Sequence, residues 1–272
     1  AFVVFLVTLS HNVYPGQSAA LTAAAAGLVS PSGADHSVYA LALRAVENLE
    51  LFSLPIRVNL FSALCGTLCV AVFYHLVSRL ILFLAYESGG GESRYQYGET
   101  QEMPQELLIS NRKILLWAIG CTLTSAFLLI FQAPFWSAAT RAHFATFDLL
   151  LALAAFDLLL TYDTCQDETS PLTPYKRHLF FFLSFFLFTV GLFDSAVFLL
   201  LLPVYAFFIA YILFYTQARG RLLGLIVAAG ASGTACSLFA FFHNRGEPIP
   251  SRLASALLVS TSQFVSHHYH EI

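Results

Sequence analysis

The residues best suited to chemistry lie in the polar stretch after the first apolar segment. His11, Gln17, Asp35 and His36 all fall within residues 11–56, between two strongly apolar segments. Carboxylates and imidazoles are the usual side chains of general acid–base catalysis. If the chain has a chemical site, we expect it in this loop.

Charged side chains inside apolar segments are a second set of candidates, because such groups are costly in a membrane. Asp148 and Asp157 are nine positions apart, which places them on opposite faces of a helix and excludes a carboxylate pair. Arg141 and Asp148 are seven positions apart and therefore share a face. We predict that they pair near the membrane surface, in a structural role more readily than a catalytic one.

Asp194 falls in an expected turn between two apolar segments. It either caps the helix that follows or faces the first loop, and the cap is the favoured interpretation. Metalloprotease, nucleotide-binding and hydrolase signatures are absent from the sequence.

No metal site is predicted. Cys65 and Cys69 are four positions apart on one helix face, but their neighbours are apolar, so they are interpreted as small packing residues. Three histidines near the carboxyl end could bind a metal but are interpreted as a polar tail: His267, His268 and His270.

Composition places these residues in a membrane protein. The chain has 272 residues, 58% of them hydrophobic and only 11% charged, with a mean hydropathy of +0.72. Soluble domains have about 45–50% apolar and about 25% charged residues, so a soluble globule is excluded. The net charge of −3 gives no basic surface for nucleic acid. The lipid bilayer is the predicted partner.

Apolar runs predict an all-α, polytopic fold with seven or eight transmembrane helices in one domain, residues 1–272. The run 178–215 would be roughly 57 Å long as one helix, too long for a single crossing of a roughly 30 Å core. A turn is therefore expected at 191–195. The run 1–9 is too short to span, so we expect the chain to begin partway through its first membrane helix. The runs are 1–9, 60–86, 114–131, 144–162, 178–215, 222–242 and 253–266.

Two polar regions frame the second apolar segment. Within the loop 11–56, apolar residues recur at helical spacing from Val38 to Phe52, which predicts an amphipathic helix in the membrane interface. Residues 87–112 are predicted to be a polar cytoplasmic connector. Lys and Arg concentrate on the connector's side of the membrane, eight against five, so we expect the first loop to be extracytoplasmic.

Two motifs resemble a known family. Val13-Tyr14-Pro15-Gly16 and the run Arg57 to Ala63 (RVNLFSA) resemble a bacterial family of GT-C-like membrane proteins related to protein O-mannosyltransferases. Phe135-Trp136-Ser137 resembles a later motif of the same family. The resemblance implies a GT-C-like helical scaffold. It also implies a substrate-binding role for Tyr14, His36, Arg57 and Arg141.

The sequence departs from the family pattern at its acids and histidines. Gln17 and Ala20 stand where the family has Asp and Glu, and Ser30 begins the run that starts with His in the family. An amide cannot accept a proton, and general base catalysis contributes about 10²–10⁴-fold. Asp35, in the same loop, is the candidate substitute for the catalytic acid.

Two functions follow from the resemblance. The favoured one is a catalytically degenerate scaffold that serves as a structural or accessory subunit of a membrane complex, with other membrane proteins as partners and no cofactor. The alternative is an active glycosyltransferase that moves a sugar from a polyprenyl-phosphate donor to an extracytoplasmic acceptor, with a possible divalent metal. In both cases the expected location is the bacterial inner membrane.

Overall fold

A computed structural model describes residues 1–13, 17–26, 36–48, 52–88, 105–164, 173–215 and 219–245. Within these ranges all regular secondary structure is helical, and the predicted all-α class is confirmed. The described helices are α1 (Phe2–Val7), α2 (Gln17–Ala25), α3 (Ser37–Glu47), α4 (Leu54–Ser88), α5 (Gln105–Phe131), α6 (Ala133–Thr140), α7 (Ala145–Thr164), α8 (Thr173–Asp194), α9 (Val197–Tyr215) and α10 (Arg219–Arg245).

Five of these helices, α4, α7, α8, α9 and α10, are long and apolar enough to cross a membrane. Helices α5 and α6 meet at a bend of 65°. Counted together as one broken crossing, they would be a sixth span among the described residues. Helix α1 has six residues and is too short to span. The apolar run 253–266 lies outside the described residues. The chain is therefore a polytopic membrane protein.

The predicted turn within the run 178–215 is confirmed, since α8 ends at Asp194 and α9 begins at Val197. The connector predicted at 87–112 is helical at both ends: α4 continues to Ser88 and α5 begins at Gln105. Both helices thus extend beyond their apolar segments into polar sequence.

The spans pack in the order α4, α7, α8, α10, with α5 on the outside of α4. Aromatic stacking and one buried polar group hold α7, α8 and α9 together. The rings of Phe188 and Tyr205 stack with centroids 3.8 Å apart. The Ser184 hydroxyl donates to the Ala155 carbonyl at 2.6 Å and lies 2.8 Å from the Tyr205 hydroxyl. This pairing satisfies the hydroxyl groups away from water.

A second core joins α1, α4 and α6. Phe5 is fully buried and meets Phe135 edge-on, with ring centroids 6.0 Å apart. Helices α4 and α6 approach so closely that a Cβ at Gly66 would lie 2.7 Å from the Cβ of Ala139. A small residue at this position is typical of close helix contacts in membranes.

Helix α3 corresponds to the predicted amphipathic helix, but it ends earlier than predicted and buries a different face. It ends at Glu47, and its buried residues are Tyr39 and Leu43. Ala45, predicted on the apolar face, is exposed. Because α3 packs against both α4 and α10, its burial is set by two neighbouring helices and not by one flat membrane surface.

Candidate functional site

The first turn of α3 is fastened to the turn between α8 and α9. His36 precedes α3 in a left-handed backbone conformation, with φ of 64°, and its N–H donates to the Asp194 carbonyl at 2.9 Å. The Asp194 carboxylate accepts the N–H of Val38 at 2.7 Å and that of Tyr39 at 3.4 Å. These N–H groups have no partner within their own helix. Asp194 therefore acts as the N-terminal cap of α3.

The favoured interpretation of Asp194, a cap on the helix that follows it, is wrong. Ser195 performs that role, because its Oγ accepts the N–H of Val197 at 3.4 Å. Asp194 is 1% exposed and faces the first loop, which was the alternative interpretation. A carboxylate at a helix N-terminus is favoured by the positive end of the helix dipole.

Three metal-ligating side chains converge at the start of α3. Ligand atoms of His36, Asp148 and Asp194 all lie within 4.8 Å of one another. The His36 Nδ1 lies 3.7 Å from Asp148 Oδ2, and the His36 ring stacks on Phe144 with centroids 3.6 Å apart. His36 was predicted as a substrate-binding residue, and the structure surrounds it with two buried acids.

Further polar groups lie beside these three. The Tyr39 hydroxyl lies 3.4 Å from Ser62 Oγ, which also accepts the N–H of His143 at 3.3 Å. Burial raises the pKa of Tyr39 well above its usual value, so the phenol stays protonated. Burial also lowers the pKa of His143, whose Nδ1 accepts the N–H of Ala145 at 3.0 Å. His143 is thus a neutral acceptor at the start of α7.

The predicted pair of Arg141 and Asp148 is wrong. Arg141 follows α6 in extended conformation, and α7 begins only at Ala145, so the two residues do not share a helix face. Asp148 faces His36 instead. Arg141 lines a cleft of about 500 Å³ formed by the segment after α1 and by the end of α6. The lining residues are Thr8, Leu9, Ser10, His11, Asn12, Val13, Trp136, Thr140 and Arg141.

The motif that begins at Arg57 binds backbone groups. The Arg57 Nη1 donates to the carbonyl of Glu47, at the end of α3. The Asn59 amide donates to the Ser10 carbonyl at 2.7 Å. Together with Ser62, these residues fasten the segment after α1 and both ends of α3 to α4.

The side chains of three other predicted site residues lie outside the part of the chain that the structure describes. Tyr14 and Asp35 lie outside the described residues. Gln17 is the first residue of α2, and its side chain is outside the described part. Their proposed roles stay predictions.

The opposite end of the bundle contains a separate polar contact between α4 and α7. His75 Nδ1 lies 2.7 Å from Asp157 Oδ1, and the Arg79 guanidinium donates to the Thr161 hydroxyl at 2.6 Å. Asp148 and Asp157 have different partners, as their helical spacing predicted.

The grouping of His36 with Asp148 and Asp194 was not predicted from the sequence, and neither were the contacts of Tyr39, Ser62 and His143. These residues come from separate segments and meet only when α3 docks on the bundle. The one available signal was Asp194, an acid in a short turn on the same expected side as the first loop.

A family model, the N-terminal domain of the protein O-mannosyl-transferase TMEM260, matches residues 19–219. This match covers well over half of the chain and runs from α2 to the start of α10. The chain belongs to this family. The predicted relation to protein O-mannosyltransferases is confirmed, and His36, Asp148 and Asp194 all lie within the matched region. Membership of this family identifies the chain as a glycosyltransferase-like integral membrane protein.

The curated proteins and the solved structures contain no match to the chain.

Proposed function

We propose that this chain is a catalytically degenerate member of the protein O-mannosyltransferase family and acts as a structural or accessory subunit of a membrane complex. The supporting observation is the use of its polar motif residues. Arg57 binds the Glu47 carbonyl and Ser62 lies beside the Tyr39 hydroxyl, both in the first loop, and Asn59 binds the Ser10 carbonyl just before it. These side chains therefore contribute to the architecture of the loop instead of presenting free functional groups to a substrate.

The acids at this end of the bundle support the same proposal. Gln17 stands where the family pattern has an acid. Asp148 and Asp194 are buried, and Asp194 caps α3. Among the described residues that line the cleft beside Arg141, none is a carboxylate. A general base that reaches a substrate in this cleft would have to come from elsewhere in the chain.

An active glycosyltransferase is the second candidate, and the same cleft is the observation in its favour. Arg141 and His11 supply nitrogen donors, and Thr8, Ser10 and Asn12 add polar groups. Such a lining suits the phosphate of a polyprenyl-phosphate sugar donor. Asp35 would then act as the base, and Tyr14 and His36 would contact substrate.

We also propose that the chain lies in the bacterial inner membrane with its first loop extracytoplasmic. The basic residues Arg79, Lys176 and Arg221 lie at the end of the bundle opposite α3, which fits the positive-inside rule. Partner subunits would meet the apolar outer surface of the bundle. Helix α5 presents a broad apolar face, with Trp117 74% and Phe127 61% exposed.

Sugar transfer in membranes tests the proposal directly. Membranes that contain the chain are incubated with a labelled polyprenyl-phosphate sugar and compared with membranes that lack it. We expect no added transfer, and no difference between the native chain and Asp35→Asn or Arg141→Ala. Transfer that requires the chain and falls at least about 10²-fold in Asp35→Asn, but not in the matched Asp157→Asn, would establish the enzyme instead.

Cross-linking in the same membranes tests the accessory role. A subunit should give a discrete larger species in which the chain is joined to another membrane protein. A chain that remains monomeric at every cross-linker concentration would contradict this part of the proposal.

A further inference from the structure

The distance between His36 and Asp148 is too long for a hydrogen bond and is typical of two side chains that bind the same metal ion. Hydrogen bonds between nitrogen and oxygen have lengths of about 2.7–3.2 Å. His36 Nδ1 and Asp148 Oδ2 are 3.7 Å apart, whereas the corresponding atoms of His75 and Asp157 are 2.7 Å apart. The second pair is a direct contact, and the first pair leaves room between its atoms.

The carboxyl group of Asp148 is buried, and one of its oxygens lacks a hydrogen-bond donor within the described part of the chain. The residue is 5% exposed, and its Oδ1 has no hydrogen-bond partner among the described residues. The Ser195 hydroxyl also lies near this carboxyl group. A buried carboxylate oxygen without a donor is costly unless a cation compensates it.

The third ligand comes from the turn between α8 and α9. All three ligand atoms lie within 4.8 Å of one another. Zinc binds nitrogen and oxygen ligands tetrahedrally at about 2.0–2.2 Å, so two ligand atoms of one ion are roughly 3.3–3.6 Å apart. His36 Nδ1 and Asp148 Oδ2 are already 3.7 Å apart. Small movements of the side chains would therefore complete the site. Each carboxylate oxygen can accept more than one contact, so the capping of α3 does not by itself prevent Asp194 from binding a metal.

We propose that His36, Asp148 and Asp194 bind one divalent transition-metal ion, with zinc as the expected occupant, and that this ion fastens α3 to α7 and to the turn between α8 and α9. One imidazole and two carboxylates are a ligand set that zinc accepts, with water at the remaining position. The ion would join three separate segments of the chain, and its binding can be measured without any assay of sugar transfer.

Zinc titration of the purified chain tests this site. The chain, with His267, His268 and His270 replaced by alanine to remove the terminal histidines as competing ligands, is stripped with a chelator and titrated with zinc chloride in detergent. We expect about one tight zinc ion per chain, measured by calorimetry and by metal analysis after desalting. Zinc should also raise the midpoint of thermal unfolding.

Two substitutions distinguish zinc binding at this site from zinc binding elsewhere on the chain. Asp148→Asn keeps the shape of the side chain and should weaken zinc binding at least about 10–100-fold, since loss of a mere supporting residue has that effect. His75→Gln removes the imidazole of the other histidine–aspartate pair and should leave zinc binding unchanged. Absence of tight zinc binding in the parent chain, or equal binding by the parent and Asp148→Asn, would overturn the proposal.

Discussion

Asp194 joins the turn between α8 and α9 to the first turn of α3, and it uses both backbone and side chain. Its carbonyl accepts from His36, and its carboxylate accepts from Val38 and Tyr39. Hydrogen bonds to a charged acceptor are stronger than those between neutral groups. A buried cap of this kind determines where α3 begins and where it docks.

Replacement of Asp194 tests the cap at this scale. Asp194→Ala should destabilise the protein by about 0.5–2 kcal/mol, the range expected for loss of an N-terminal cap. Asp194→Asn should lose less, because it retains one oxygen to accept the N–H of Val38. The measurement is thermal unfolding in detergent with a chelator present, so that metal binding does not contribute. Equal midpoints for the native chain and Asp194→Ala would contradict the role of the cap.

The helices α8 and α9 reverse direction over two residues, and Gly191 makes this possible. A Cβ at Gly191 would overlap the ring of Phe198, which is fully buried at the start of α9. The absence of a side chain therefore lets the two helices approach immediately before their turn. Gly120, in contrast, has open space around it in α5.

A matched pair of glycine substitutions tests this packing. Gly191→Ala should destabilise the protein by about 1–3 kcal/mol, as overpacked cores do. Gly120→Ala should be neutral or stabilising by up to about 1 kcal/mol, because alanine favours helix formation and contacts nothing there. Thermal unfolding of both variants beside the native chain gives the comparison. A Gly191→Ala protein as stable as Gly120→Ala would show that Phe198 moves aside at little cost.

At the scale of the whole molecule, α3 and the polar groups around it lie at one end of the bundle. The same end contains the start of α7 and the end of α10, where the His243 carbonyl accepts a hydrogen bond from Arg44. Basic residues at the start of α8 and α10 lie at the other end. This asymmetry underlies the proposed orientation in the membrane.

Cysteine labelling in intact cells tests the orientation. Asn48→Cys places a thiol at an exposed position just after α3, and Lys176→Cys places one at an exposed position of the opposite end. A membrane-impermeant maleimide should label Asn48→Cys in intact cells, and Lys176→Cys only after permeabilisation. The native chain, which contains Cys121 in α5, gives the background. The reverse pattern would place the first loop in the cytoplasm.

The apolar runs predicted the five described helices that could each cross a membrane, because a crossing requires about 20 apolar residues whatever the neighbours are. The turn before Val197 followed from that requirement. The short helices α2 and α6 were not predicted. The face of α3 did not follow, since α4 and α10 together determine that Tyr39 is buried and Ala45 exposed.

The site was harder to predict from the sequence than the helices were, because its residues come together only through the packing of separate helices. Pairing of Arg141 with Asp148 was inferred from helical spacing, but α7 begins after Arg141. The grouping of His36 with Asp148 and Asp194 depends on how α3 docks against the bundle. No local pattern in the sequence encodes that contact.

The cap on α3 also has a consequence for the order in which the protein forms. During synthesis α3 emerges well before Asp194, and chains fold broadly from the amino-terminal end. The first turn of α3 nevertheless has to wait for its acceptor until α8 has been made and inserted. The first loop is therefore expected to be among the last parts of the protein to reach its final structure, and a nascent chain that stalls before α8 would expose it uncapped.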